Sequence, residues 1–295
     1  MEPAFISLTS LAVFIRIVAN PLANVFQKQL THRAVDPLFV AGATFGLLTV
    51  ACFPGWSRLQ FDGLSTSFWL NMVLTSLFAV LGNVFLVRAL RIGDLSVLGP
   101  INAYKSVVGL LLGVVILQEI PSWWGVVGVA LLIVGSYVVV ANRHERLSWA
   151  VVQHPAVRLR LLALVFSAAD GAFLKKSIFN STPFIAFFYW CGLSFLFTLG
   201  WIGLTMRHNW RLQLTALACH KRLFIGLCVM VGLTQFTSNL VLSRMPVGYA
   251  LALFQLSALV SVGLGYHFFQ EQHMLRKLLG ALIMVGGAAI ITLLG

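Results

Sequence analysis

Three ionisable side chains fall inside runs that are otherwise almost wholly apolar. They are Arg16 in "AVFIRIVANPLANVF", Lys105 in "LGPINAYKSVVGLLLGVVIL" and Asp170 in "LVFSAADGAFLKK". On insertion scales a charge at the centre of a bilayer costs about 2.5–3.5 kcal/mol, so such residues face a partner or a water-filled space. Two readings stay open at this point. One is a charge pair that only locks helices together; the other is a polar midplane site that binds a solute. Two cations against one anion leave one positive charge over. An anionic or zwitterionic solute balances it, with Lys105 and Arg16 as the contacts. Asp170 is then the counterion of either cation, or else a proton-coupling carboxylate; the neighbouring cations favour the counterion role.

Polar residues near these three extend the candidate binding set to Asn102 and Tyr104 beside Lys105, Asn20 near Arg16, Asn83, Gln235 and Gln255. Any one amide fits equally well as an interhelical polar contact. The chemistry on offer is recognition by charge and hydrogen bonds, not bond cleavage. The eight acidic residues are scattered, the histidines make no HExxH-type spacing, and the four cysteines form no CxxC pair. No catalytic group, metal site or cofactor is expected. A GxxxxGK[ST] phosphate loop is also missing, so the chain itself hydrolyses no ATP.

The elements that must position these residues follow from composition. Of 295 residues 59% are hydrophobic and 9% charged, with a mean hydropathy of +0.94. Soluble domains average about 25% charged residues, which excludes that class. Ten candidate spans lie near 5–27, 37–54, 68–88, 96–117, 122–141, 160–179, 183–206, 222–243, 247–269 and 276–294. The first reads as a retained span and not as a cleaved leader. The net charge of +12 sits mainly in short connections, as in cytoplasmic loops, and does not point to nucleic acid.

The chain repeats itself. Residues 83–142 align without gaps on 235–294, bringing Gln118–Glu119 onto Gln270–Glu271 and Gly113, Gly128 and Gly135 onto Gly265, Gly280 and Gly287. Earlier, "FQKQL…DPLF" resembles "LKKSI…TPFI". The fold class expected is therefore an all-α integral membrane protein with ten transmembrane helices in two five-helix repeats, 1–142 and 159–295, joined by a basic loop at 143–158. An odd number of spans per repeat makes the repeats inverted, an architecture that places a solute site near the midplane. In this frame Ser257 occupies the place of Lys105, so the charge belongs to one repeat only.

Two five-span repeats, each ending in "(L/F)QE" and a final helix with the pattern E-x8-G-x6-G, resemble the drug/metabolite transporter superfamily, specifically its EamA-type ten-helix members. "VRALRIGDLSVLGPI" is similar to the connection that family carries before its fourth helix. The resemblance implies a secondary transporter, often an exporter, of a small metabolite or drug-like solute working by alternating access. It also implies a multi-pass bacterial inner-membrane protein and no enzyme. Two alternatives remain: a carrier or flippase for a phosphate-bearing lipid, and a membrane-embedded transferase. Of the basic residues in connections, 14 fall in odd-numbered ones against four (Arg58, Lys175, Lys176, Arg244) in even-numbered ones, which puts both termini outside. Glu119 and Glu271 are expected to cap the helix that follows each. The GxxxG pairs Gly42/Gly46 and Gly109/Gly113 allow a homodimer, but a monomer is the expectation.

Overall fold

Three helices open on one local device. Asp36, Thr182 and His154 each precede a proline, whose fixed φ suits a first helical turn and whose missing N–H costs nothing there. Each side chain then accepts a free N–H of that turn. Asp36 Oδ1 takes Leu38 N at 2.8 Å, Thr182 Oγ1 takes Ile185 N at 3.2 Å and His154 Nδ1 takes Ala156 N at 3.3 Å. The first two are the "DP" and "TP" of the repeated segments.

The computed structural model describes residues 3–58, 63–92, 104–140, 154–206, 210–257, 259–260 and 274–294. Among them the regular structure is helical: α1 Pro3–His32, α2 Pro37–Cys52, α3 Thr66–Ile92, α4 Lys105–Leu117, α5 Trp123–Val140, α6 Pro155–Phe179, α7 Pro183–Thr205, α8 Trp210–Cys219, α9 Lys221–Leu242, α10 Val247–Leu253 and α11 Met274–Leu294. Short 3₁₀ turns cover Phe53–Arg58 and Phe254–Leu256. A helix stands at each of the ten anticipated places. Five stretches are long and apolar enough to cross a bilayer by themselves: Leu8–His32, Pro37–Gly55, Thr66–Ile92, Pro183–Thr205 and Lys221–Leu242. The chain is thus a helical multi-pass membrane protein.

Two expectations need correction. The sixth helix starts at Pro155, not at 160, because the His154–Pro155 cap begins it inside the basic stretch. Arg158 and Arg160 therefore lie on α6 and not in a connection, and Lys175 and Lys176 lie on its last turns. These four, with Asp170, keep α6 from reading as an apolar span, although its 25 residues reach about 37 Å. The segment taken as a connection after α7 holds a helix of its own, α8. Gln213 on α8 is buried and its Oε1 accepts Asp36 N at 3.0 Å, while Leu212 and Leu214 stay exposed.

Packing pairs α3 with α6, α1 with α9, α5 with α11 and α2 with α7. Glycine sets the α5–α11 approach. A Cβ on Gly128 would lie 2.8 Å from Gly287 O, and one on Gly135 would lie 2.8 Å from Gly280 O. As one number rises by seven the other falls by seven, so the two helices run antiparallel. Three of the four GxxxG glycines are taken up by packing inside the chain. Gly109 makes room for Leu251, Gly42 for Ile202 and Thr198, and Gly46 for Phe195. The "FFYW" run at 187–190 is buried packing, with Tyr189 edge-on to Phe68, Trp69 and Phe188. Trp123 and Trp124 stand exposed at the start of α5, as an interfacial belt requires.

Candidate functional site

The charged residues come together at mid-depth. Asp170 stands nine residues before the end of α6, Thr75 nine into α3, Lys105 twelve before the end of α4, and Phe254 seven beyond the start of α10. At 1.5 Å per residue they lie about 10–18 Å inside the same end of the bundle. Arg16, about halfway along α1, joins them by placing its guanidinium over the Phe254 ring, 4.3 Å from the centroid. Its side chain is 9% exposed, and Nε and Nη1 have no hydrogen-bond partner. A buried donor left unpaired costs about 1–3 kcal/mol, and more when charged; the aromatic face returns about 0.5–2 kcal/mol of that. The local structure is therefore held in a state that a ligand would improve. Asn20 sits one turn after Arg16, on the same face, and is half-buried.

Phe254 belongs to the 3₁₀ turn Phe254–Leu256 that interrupts the helix begun at Val247. Such mid-helix turns often mark hinges. Lys105 opens α4, deep in the bundle yet half-buried, and lies within electrostatic reach of Arg16, Asp170 and Arg160. Thr75 Oγ1 donates to Asp170 Oδ1 at 2.5 Å and also lies 2.9 Å from Asp170 O. Trp190 Nε1 faces the same carboxylate without reaching hydrogen-bond geometry. Asp170 is thus held by a hydroxyl; among the described residues no ion pair joins it to Arg16 or Lys105.

The remaining anticipated residues divide. Asn83 Oδ1 accepts Gln27 Nε2 at 3.4 Å. Gln235 donates to Asn239 Oδ1 at 3.2 Å, and Asn239 donates on to Pro183 O at 3.1 Å. Gln255 is buried, with Nε2 directed to Leu251 O at 3.4 Å. Tyr104 is exposed. Asn102 and Glu271 lie outside the described residues. Among the described residues no three His, Cys, Asp or Glu side chains gather as a metal would need.

Glu119 does not cap the helix that follows it. Gln118 adopts a left-handed conformation (φ 57°) at the end of α4, and Glu119 N closes the turn on Gly113 O at 3.1 Å. This Schellman-type stop directs the carboxylate across to α10 and α6. There Oε2 accepts Val247 N at 2.9 Å and Oε1 pairs with Lys175 Nζ. Lys175, 4% exposed, also donates to Met245 O at 2.6 Å and lies over the Phe179 ring. Close by, Ser122 Oγ caps the next helix by accepting Gly125 N at 2.9 Å, and Tyr249 Oη accepts Ser122 N at 2.8 Å. At the same end Arg244 reaches Thr9 at 3.0 Å. The contacts of Glu119 with Val247 and Lys175, of Tyr249 with Ser122 and of Arg244 with Thr9 join residues 1–142 to residues 159–295.

Sequence reasoning missed Lys175 and Arg160 because both were assigned to connections. It also missed Thr75 and Phe254, which are ordinary residues in a span until a charge is placed against them. The signal for Arg160 was present in "HPAVRLR", where a cap and a proline start the helix five residues earlier.

A solved crystal structure of a protein 18% identical in sequence superposes with a TM-score of 0.68, covering 98% of this chain and 97% of that one. That likeness concerns the fold. No curated protein matches the sequence. The EamA-like transporter family matches residues 8–141, which include α1, Arg16, Lys105 and Glu119. Over these residues the chain is similar to EamA-like transporters, which together with its apolar spans supports a multi-pass membrane transporter.

Proposed function

We propose that the protein is a secondary transporter that moves a small anionic or zwitterionic solute by alternating access about the group formed by Arg16, Lys105 and Asp170. The observation that carries this is the charge imbalance at mid-depth, where a buried guanidinium keeps two unpartnered nitrogens beside Lys105. Lys105 and Arg16 bind the solute, Asn20, Tyr104 and Gln255 border it, and Asp170 orients the cations. Asn83 and Gln235 exchange their present partners for solute during the cycle. Export is the direction the family resemblance suggests.

The working architecture is ten spans in two inverted repeats. It is supported by the reciprocal glycine contacts, in which Gly128 meets Gly287 and Gly135 meets Gly280 while the repeat pairs Gly128 with Gly280 and Gly135 with Gly287. Such an exchange is what a two-fold relation between repeats produces. In the same reading the chain works as a monomer in a bacterial inner membrane, with the basic connections cytoplasmic and both termini outside. Arg158 and Arg160 lie near the start of α6 and Lys175 and Lys176 near its end, so each pair still counts on its own side.

The test is a thermal-shift screen of purified protein with anionic, zwitterionic and cationic metabolites, since a ligand stabilises the state it binds. Anions or zwitterions are expected to raise the melting temperature, and Lys105→Ala to abolish the rise and the transport in proteoliposomes. Wild-type transport by a folded Lys105→Ala protein would overturn the proposal. Stabilisation by phosphate-bearing lipid alone would move the assignment to a lipid carrier. Labelling of a cysteine at position 150 from outside intact cells would refute the orientation.

A further inference from the structure

Arg160 was counted with the loops, but the structure gives it to the site. It lies on α6 ten residues before Asp170, about 15 Å along the axis and towards the basic end of the bundle. Its Nε is fully buried and has no hydrogen-bond partner. Lys105 is within electrostatic reach of Arg160 on one side and of Arg16 and Asp170 on the other. The deep charges can therefore be balanced group by group. Lys175 is matched by Glu119. Among the described residues the group Arg16, Lys105 and Arg160 has one deep carboxylate left to it, Asp170, which lies within reach of Lys105 and already takes the Thr75 hydroxyl. Two positive charges are left over among the described residues. A zwitterion neutralises neither, and a monoanion leaves one cation desolvated and unpaired, which a low-dielectric site strongly disfavours.

We infer that the solute is a dianion, with one negative charge held by Arg16 and Lys105 and the second held by Arg160. The inference rests on the reading of the mid-depth group as a solute site and narrows its ligand class. Two chemistries share this property, a dicarboxylate with its charges on separate groups and a phosphate monoester with both on one.

The experiment compares matched probes on the purified full-length protein at pH 7.5: succinate against monomethyl succinate, and methyl phosphate against dimethyl phosphate. Within each pair the skeleton is kept and one charge is removed. Thermal shift against concentration gives the half-saturating value for each. In at least one pair the dianion is expected to bind at least about tenfold more tightly, the size of one charge-assisted hydrogen bond. Preference confined to succinate assigns a dicarboxylate, and preference confined to methyl phosphate a monoester. Arg160→Gln is expected to reduce the preference below about threefold while leaving monoanion binding within about threefold of wild type, and Arg160→Lys to restore most of it. Equal binding of monoanion and dianion by the wild-type protein would overturn the inference and leave the anion site standing. Full dianion preference in Arg160→Gln would overturn the role of Arg160. Binding of none of the four probes, with stabilisation by cations, would overturn both readings.

Discussion

Removing the charge of Glu119 without its shape isolates what the inter-segment latch contributes. In Glu119→Gln the amide oxygen still accepts Val247 N, so the cap of α10 survives while Lys175 loses its counterion. The two side chains are 18% and 5% exposed, so the ammonium stays desolvated. Breaking a buried pair from one side costs about 3–5 kcal/mol. Lys175 retains Met245 O at 2.6 Å and the Phe179 ring at 5.3 Å, which places the loss near the lower figure, about 3 kcal/mol. Lys175→Met leaves a different remainder. The carboxylate is the more exposed partner, keeps Val247 N and sits at the positive end of a helix, so about 1–2 kcal/mol is expected. In the double variant no charge is stranded, and adding Lys175→Met to Glu119→Gln should recover stability instead of lowering it further. With the exposed Cys219 replaced by serine in every variant, a thiol-reactive dye reads the transition, because Cys191 is fully buried until the bundle opens. At about 2–4 °C per kcal/mol, Glu119→Gln should melt about 6–12 °C below wild type. A fall of under about 1 °C, or a double variant no more stable than Glu119→Gln, would refute the account of a stranded lysine.

Arg16→Met removes an incompletely paired buried cation and keeps contact with Phe254; it should raise the melting temperature or leave it unchanged while abolishing solute-induced stabilisation, the trade-off typical of functional sites. Gly135→Val should disrupt folding, since a Cβ there meets Met284 Cγ at 2.6 Å and backbone at 2.8 Å, whereas Gly192→Ala meets nothing within 4 Å and should gain up to about 1 kcal/mol in helix propensity; expression and melting temperature compare the two. Thr75→Val should cost about 1–3 kcal/mol by leaving Asp170 without its hydroxyl donor, and Thr75→Ser should restore most of that, as read in the same melting assay.

The parts of the fold legible in the sequence are those where hydrophobicity and local stops agree. Asp36–Pro37 and Thr182–Pro183 announce helix starts by type and order, and the apolar runs after them became α2 and α7. Legibility failed where polar residues belong to helices. Hydropathy treats Arg158, Arg160, Lys175 and Lys176 as the edges of a span, because it registers neither the cap that starts the helix at Pro155 nor the carboxylate that neutralises Lys175. The same blindness hid α8, whose "WRLQLTALAC" keeps Leu212 and Leu214 outward and buries a single glutamine. Among site residues, Arg16, Lys105 and Asp170 were visible as charges in apolar surroundings. Their geometry was not: Asp170 turned out to be bonded to Thr75, and Glu119 reached a helix 128 residues away in sequence. These are facts of tertiary packing, and residue type alone does not encode them.

Scaffold and site obey different symmetries. The glycines that let α5 and α11 meet are reciprocated: Gly128 meets Gly287, and their repeat partners Gly280 and Gly135 meet each other. The charges are not. The repeat puts Ser257 at the place of Lys105 and Phe254 at that of Asn102, and Phe254 receives the guanidinium of Arg16 where a polar amide would otherwise face it. The latch is equally one-sided, since the repeated segment carries Gln27, bonded to Asn83, where the other carries Lys175. A site shared equally by both repeats would offer a solute two equivalent poses related by the two-fold. With cations from α1, α4 and α6 and an aromatic face from the turn after α10, one pose is favoured. In the transport cycle proposed above, the scaffold exchanges its two ends while the site keeps the solute in one orientation, and that combination requires a repeated backbone with unrepeated charges.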